Sequence, residues 1–222
     1  MIVSEAVDLI KAELGFRRDL DSVILSRLKN AQEFFEKNWI ARPLPWFLLT
    51  ERATTSTVGD EERVLVPDDF IEEYEGDGIW LVDENGGEHP LKKNEADFLR
   101  ENEQKLTSYN TITTSAIRLP HSYALTGKYY RLFPKPSTVY TLKQIYYGKD
   151  DALVDSSSEN NWMKHAPFVL IGWAGERTAA ALRDKDAFSI FRDWKAGAIG
   201  SFNNAMIERE NANRRMAMGE TR

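Results

Sequence analysis

Apolar and polar positions follow a helical period at both ends of the chain and an alternating one in the middle. In the first 40 residues Ser4 is positioned to cap a helix over residues 5–14, and Gly15 to stop it. A second helix begins at Asp19 or Asp21. Its apolar positions Leu20, Ile24, Leu28, Ala31 and Phe35 step by three and four, with Phe34 and Trp39 widening the stripe. Pro43 and Pro45 in Arg42-Pro-Leu-Pro-Trp46 end that pattern, because proline lacks the donor N–H and disfavours helix before it.

From residue 46 to 148 the period falls towards two. Residues 46–50, 64–66, 78–82, 88–92, 115–119, 122–126, 128–133 and 140–147 read as strands. Glu84-Asn-Gly-Gly87 is a hairpin turn and Thr126-Gly-Lys128 another. Residues 127–136 and 140–147 read as two adjacent antiparallel strands around a proline-bracketed turn. Tyr140, Leu142, Gln144 and Tyr146 fall on one face of the second. Short helical pieces are expected over 67–74 and 94–105, the latter capped by Asn94.

A polar loop spans residues 150–161, and the helical period then returns. Pro167 suits the first turn of a helix over 168–183, apolar nearly all round and therefore central. A last helix begins near Ala187. Phe188, Phe191, Trp194, Ala198, Phe202, Ala205 and Met206 keep its stripe for five turns, and this helix is expected to pack on both the 168–183 and the 20–35 helices. The fold class that follows is α+β: a bundle of N- and C-terminal helices with an inserted antiparallel β-sheet region. One domain is expected over 1–222, with a helical core at about 1–45 and 160–210, a β-rich insert at about 46–150 and a flexible C-terminal tail at about 211–222.

The composition narrows the class. The chain has no cysteine, so disulfides and thiolate metal sites are excluded. No apolar run approaches the ~20 residues of a membrane span, and the N-terminus has no basic signal-peptide region, so a soluble cytosolic product is expected. The net charge of −6 is uneven: residues 51–103 hold 17 Asp and Glu against 5 Lys and Arg, a net of −12. A nucleic-acid grip concentrates the opposite charge.

Chemistry is sparse. His89, His121 and His165 have no helical ligand spacing to one another. Residues 83–88 hold oxygen ligands and glycines but lack the frame of a calcium loop. Pro67-Asp68 with Glu103-Gln-Lys105 matches the loose pattern of magnesium-dependent nucleases, which need carboxylates on the metal and a lysine near the attacking water. Glu103 and Lys105 fall at the end of a helical stretch, where residues two apart diverge. No cofactor and no metal are expected.

The order of elements resembles the head-to-tail adaptor, or head completion, proteins of tailed bacteriophages. The resemblance covers residues 2–210. It is carried by the helical start, Asp69-Phe70 before the aromatic strand at Trp80, Pro90-Leu91, Tyr130-Arg-Leu-Phe-Pro134, residues 142–147, and the Pro167 helix ending in Ala179-Ala-Ala181. It implies a structural, non-enzymatic virion protein of the neck, made in the host bacterial cytoplasm. Such proteins form a ring, typically dodecameric, under the portal protein, extend the DNA channel without gripping DNA, and offer a platform to tail or neck proteins. The C-terminal segment is then the expected portal anchor, through Met206, Ile207, Arg209, Arg214, Arg215, Met216, Met218 and Arg222. A monomeric binding module or assembly factor is the alternative class, and a nuclease a third.

Overall fold

A computed structural model describes residues 1–39, 44–57, 61–74, 78–97 and 119–219, with residues 18, 52–56, 210 and 212–219 described as backbone alone. It has both helices and sheets and is α+β. The chain divides into a helical unit, Met1–Leu48 with Lys149–Arg222, and a β unit, Leu49–Gly148.

In the helical unit α1 is Val3–Glu13, α2 is Asp21–Asn38, α3 is Asn161–His165, α4 is Pro167–Leu182 and α5 is Lys185–Gly219. Ser4 does not cap α1. The first turn's N–H groups of Val3 and Ser4 donate instead to the carbonyls of Ser158 (3.1 Å) and Ser156 (2.8 Å), so a distant loop closes the helix. The expected α2 stripe of Leu20, Ile24, Leu28, Ala31 and Phe35 is buried throughout. Pro167 stands in the first turn of α4, whose Val169, Leu170, Ile171 and Ala174 are fully buried.

Helix α4 is central, packed against α1, α2, α3 and α5. The expectation that α5 packs on both α4 and α2 holds for α4 and is corrected for α2. Helix α5 runs along α4 and meets the end of α2 through Phe202 against Trp39, 5.8 Å between ring centroids. The reason is Gly172 and Gly175 on α4. A Cβ at Gly172 would stand 2.7 Å from the Lys195 backbone nitrogen, and one at Gly175 would stand 2.4 Å from the Phe191 ring. Only bare backbone permits that approach.

The stripe of α5 is also narrower than expected. Phe191, Phe202 and Met206 are buried, Trp194 is half-buried and Ala205 is exposed. Trp194 packs edge-on against Phe168 and Phe191. Trp194→Ala is therefore expected to cost about 1–2 kcal/mol, below the ~3–5 kcal/mol of a fully buried aromatic. Urea unfolding of the two proteins measures the difference.

Gln32 and Glu36, one turn apart on α2, are buried and hold the polar loop before α3. Gln32 Nε2 donates to the carbonyl of Asp151 (3.1 Å) and to Glu36 Oε1 (2.9 Å); the Asp150 N–H donates to Glu36 Oε1 (3.1 Å). Burial, the largest effect, raises the Glu36 pKa above its ordinary value, and those hydrogen bonds oppose the rise. A raised carboxyl pKa means the folded state holds its proton longer than the unfolded chain does. Its contribution therefore falls as pH rises from the ordinary glutamate range through the folded pKa. Glu36→Gln keeps an acceptor for the Asp150 N–H. It is expected to remove that decline, which melting curves across mildly acidic to neutral pH would record.

In the β unit, β9 (Thr141–Gly148) is central to a five-stranded sheet. It pairs antiparallel with β1 (Leu49–Ser56) on one edge. On the other it pairs with β4 (Ile79–Val82) and β3 (Phe70–Glu73), which follow each other along it. β5 (Glu88–Pro90) extends the sheet from β4 through the expected hairpin, where Gly86 has φ 81°. The second sheet is β2 (Arg63–Leu65), β8 (Tyr129–Phe133), β7 (Ser122–Thr126) and β6 (Lys92–Lys93), with β6 parallel to β7. Both inner faces share one core, including Val64, Ile79, Leu81, Leu91, Tyr123, Tyr130, Leu132 and Leu142.

Three expectations change here. Residues 127–136 and 140–147 do not form a hairpin, since β8 and β9 belong to different sheets. Leu132 and Leu142 are both fully buried and belong to the one core between the sheets instead of to neighbouring strands of a ladder. Residues 67–74 make a turn and then β3 rather than a helix, because β9 offers an open edge there. Residues 46–50 are a 3₁₀ turn, Trp46–Leu48, before β1. The expected pieces over 98–105 and 115–118 lie outside the described residues.

Candidate functional site: the distal half of the C-terminal helix

Asp184 starts α5 by accepting the Ala187 N–H on Oδ1 at 3.0 Å. The Lys195–Glu176 ion pair and the two glycine contacts then bind the helix to α4. Burial ends at Met206: the described side chains beyond it, Ile207, Glu208, Arg209 and Asn211, are exposed. The backbone stays helical to Gly219, so residues 211–219, expected as a flexible tail, continue α5. Alanine, arginine, methionine and glutamate all favour helix, and polarity alone does not unwind it. The 13 residues after Met206 extend the helix by about 20 Å.

The base of this extension is aromatic. The Arg209 guanidinium lies 4.2 Å from the Trp46 ring centroid. Trp46 meets His165 edge-on at 4.5 Å, His165 stacks on Phe47 at 5.4 Å, and Phe47 meets Phe202 at 5.7 Å. Sequence reasoning named Arg209 and missed its platform, because Trp46 and His165 are distant from it along the chain.

The expected anchor residues thus separate. Met206 is 5% exposed and belongs to the core, as its place in the apolar stripe of α5 implies. Ile207 is 50% exposed and available. Arg209 is exposed but stacked on Trp46. Arg214, Arg215, Met216 and Met218 stand on helical backbone, and Arg222 lies outside the described residues. The helical repeat sets positions 207, 214 and 218 in one row and 209 and 216 in the opposite one.

The residues weighed for metal chemistry fall elsewhere. Asp83 organises the β4–β5 hairpin, accepting the N–H groups of Asn85 (2.9 Å) and Gly87 (2.8 Å) and pairing with His89 Nε2 (3.0 Å). The His89 hydrogen bond, then the Gly87 one, hold its carboxyl below the ordinary aspartate range. Asp68 lies in the turn before β3, while Glu103 and Lys105 lie outside the described residues. Among the described residues no three His, Asp or Glu side chains gather as a metal site. No helix among them is long and apolar enough to cross a membrane.

The fold is α+β, and the backbone of its last helix continues past Met206, the last of its described side chains to be buried. Over residues 1–222 the chain matches the model of the SU10 adaptor protein family. It belongs to that family and is a bacteriophage head-to-tail adaptor, as the order of its elements implied. No curated protein matches it.

Proposed function

We propose that the protein is a ring subunit, dodecameric when assembled, that docks beneath the portal in the neck of the virion. There it extends the DNA channel and presents a platform to tail or neck proteins. It works by shape and contact, without catalysis. The observation that supports this reading best is the stretch of α5 beyond Met206, whose backbone stays helical to Gly219 and whose described side chains, Ile207, Glu208, Arg209 and Asn211, are exposed. A helix end of that kind is stabilised by a partner that covers it. Ile207 supplies an exposed apolar side chain, and the arginines at 214 and 215 suit bidentate contacts with partner carboxylates. The net −12 of residues 51–103 suits a wall that DNA slides past.

A chain ending at Glu210 keeps every described buried side chain of α5 and is expected to fold, with an unchanged near-ultraviolet circular dichroism spectrum. In co-sedimentation with portal rings it is expected to bind at least tenfold more weakly than the full chain. Equal binding by both would place the anchor elsewhere on the protein.

A further inference from the structure

Val23, Arg27 and Phe34 lie four and seven residues apart on α2, and Trp173 and Arg177 lie four apart on α4, so each set shares a helix face. The two helices pack together and these faces meet. Phe34 and Trp173 stand 5.7 Å apart between ring centroids, and the Arg177 guanidinium lies 5.1 Å from the Trp173 centroid. Nη1 of Arg27 is closed off from solvent and has no hydrogen-bond partner. Burial first, and the like charge of Arg177 second, lower the Arg27 pKa from its ordinary value. Among the described residues neither guanidinium has a carboxylate partner, and Arg177 has only its aromatic contact.

A guanidinium stays charged in a protein and carries five N–H donors. Arg177 itself is exposed, and a shielded donor of Arg27 without an acceptor is an unfavourable arrangement for an isolated chain. One oxyanion between the two would satisfy the donor and relieve the repulsion. The surroundings favour a protein carboxylate over a nucleic-acid phosphate. Phe34 is 40% and Val23 38% exposed beside the arginines, an apolar rim that matches a folded partner. Excess carboxylate is available on the chain itself: its β unit, residues 49–148, has 17 Asp and Glu against 11 Lys and Arg, a net of −6.

We propose that Arg27 and Arg177, rimmed by Phe34, Trp173 and Val23, form a socket for a carboxylate side chain from the β unit of a second copy of this chain. The socket deepens the ring reading, on which it rests, by specifying the contact between neighbouring subunits. Opposite charge at the two ends of the contact gives a head-to-tail pairing, the kind that closes a ring.

Zero-length carbodiimide coupling tests it, because that chemistry joins amines to carboxylates and leaves guanidinium groups untouched. Full chains carrying Arg27→Lys or Arg177→Lys, half of them uniformly labelled with nitrogen-15, are assembled on portal rings, coupled, digested and weighed. The expected result is mixed-isotope links from position 27 or 177 to Asp or Glu within residues 49–148. The double variant Arg27→Gln, Arg177→Gln should melt no lower than the natural chain, since an unpaired repulsion is removed. It should still touch portal singly, and ring closure should require at least tenfold more protein. Closed rings with no such links, or links to portal carboxylates only, would overturn the socket and leave the portal-docking reading intact. So would ring closure by the double variant at the natural concentration. A rise in melting temperature with inorganic phosphate that both arginines are needed for, without inter-copy links, would assign the site to a small free anion and likewise overturn it. No binding to portal by the natural chain would instead sink the ring reading, and the socket with it.

Discussion

Gly175→Ala is expected to destabilise the protein by about 1–3 kcal/mol, the range of overpacked cores, although alanine is the better helix former. The added Cβ would sit 2.4 Å from the ring of Phe191, which is fully buried and has no room to withdraw. Gly172→Ala meets the Lys195 backbone at 2.7 Å and should behave alike. Gly197→Ala and Gly200→Ala supply the contrast. A Cβ at either meets nothing within 4 Å, so each should stabilise by up to about 1 kcal/mol. Urea unfolding of the four variants decides the matter through the sign alone. Stabilisation by alanine at 175 would show that α4 and α5 do not approach as described.

Trp162→Ala carries the largest expected loss, about 3–5 kcal/mol. Trp162 is fully buried on α3, with ring centroids of Phe47, Trp39 and Phe35 at 5.1, 5.6 and 6.1 Å. Its indole N–H is closed off from solvent, so truncation removes packing without freeing a surface group. The short helix that carries it is held by Asp150, which accepts the Trp162 N–H at 3.0 Å, and by Asn160, which accepts the Met163 N–H at 3.0 Å. A loss under 1 kcal/mol in chemical denaturation would contradict this core.

Local patterns were legible in the chain. The stripe from Leu20 to Phe35, Pro167 at a helix start, the turn at Gly86 and the alternation of Tyr140, Leu142, Gln144 and Tyr146 each report a short-range geometry that one segment determines. Strand partners were not legible. Leu132 and Leu142 are inward-facing in a hairpin and in a sandwich alike, and only the tertiary fold separates the two. β3 was missed because Phe70-Ile-Glu-Glu73 does not alternate; its strand form comes from the edge of β9. The helix containing Trp162 is five residues long, too brief for a period, and its caps are polar residues that also suit a loop. The site shows the same division. The reach of α5 was underestimated because polarity was read as loss of structure, while helix propensity persisted to Gly219. The Trp46 platform under Arg209, and the contact of Phe34 on α2 with Trp173 on α4, join residues far apart along the chain.

The proposed function has this adaptor close a ring on the portal. Electron-microscope images of purified portal rings mixed with the natural chain test it most directly, with mass measurement of the same particles. One added ring coaxial with each portal is expected, with a mass gain of twelve 25.5 kDa subunits. Portal particles that gain no ring, or bind scattered single copies at saturating protein, would contradict it.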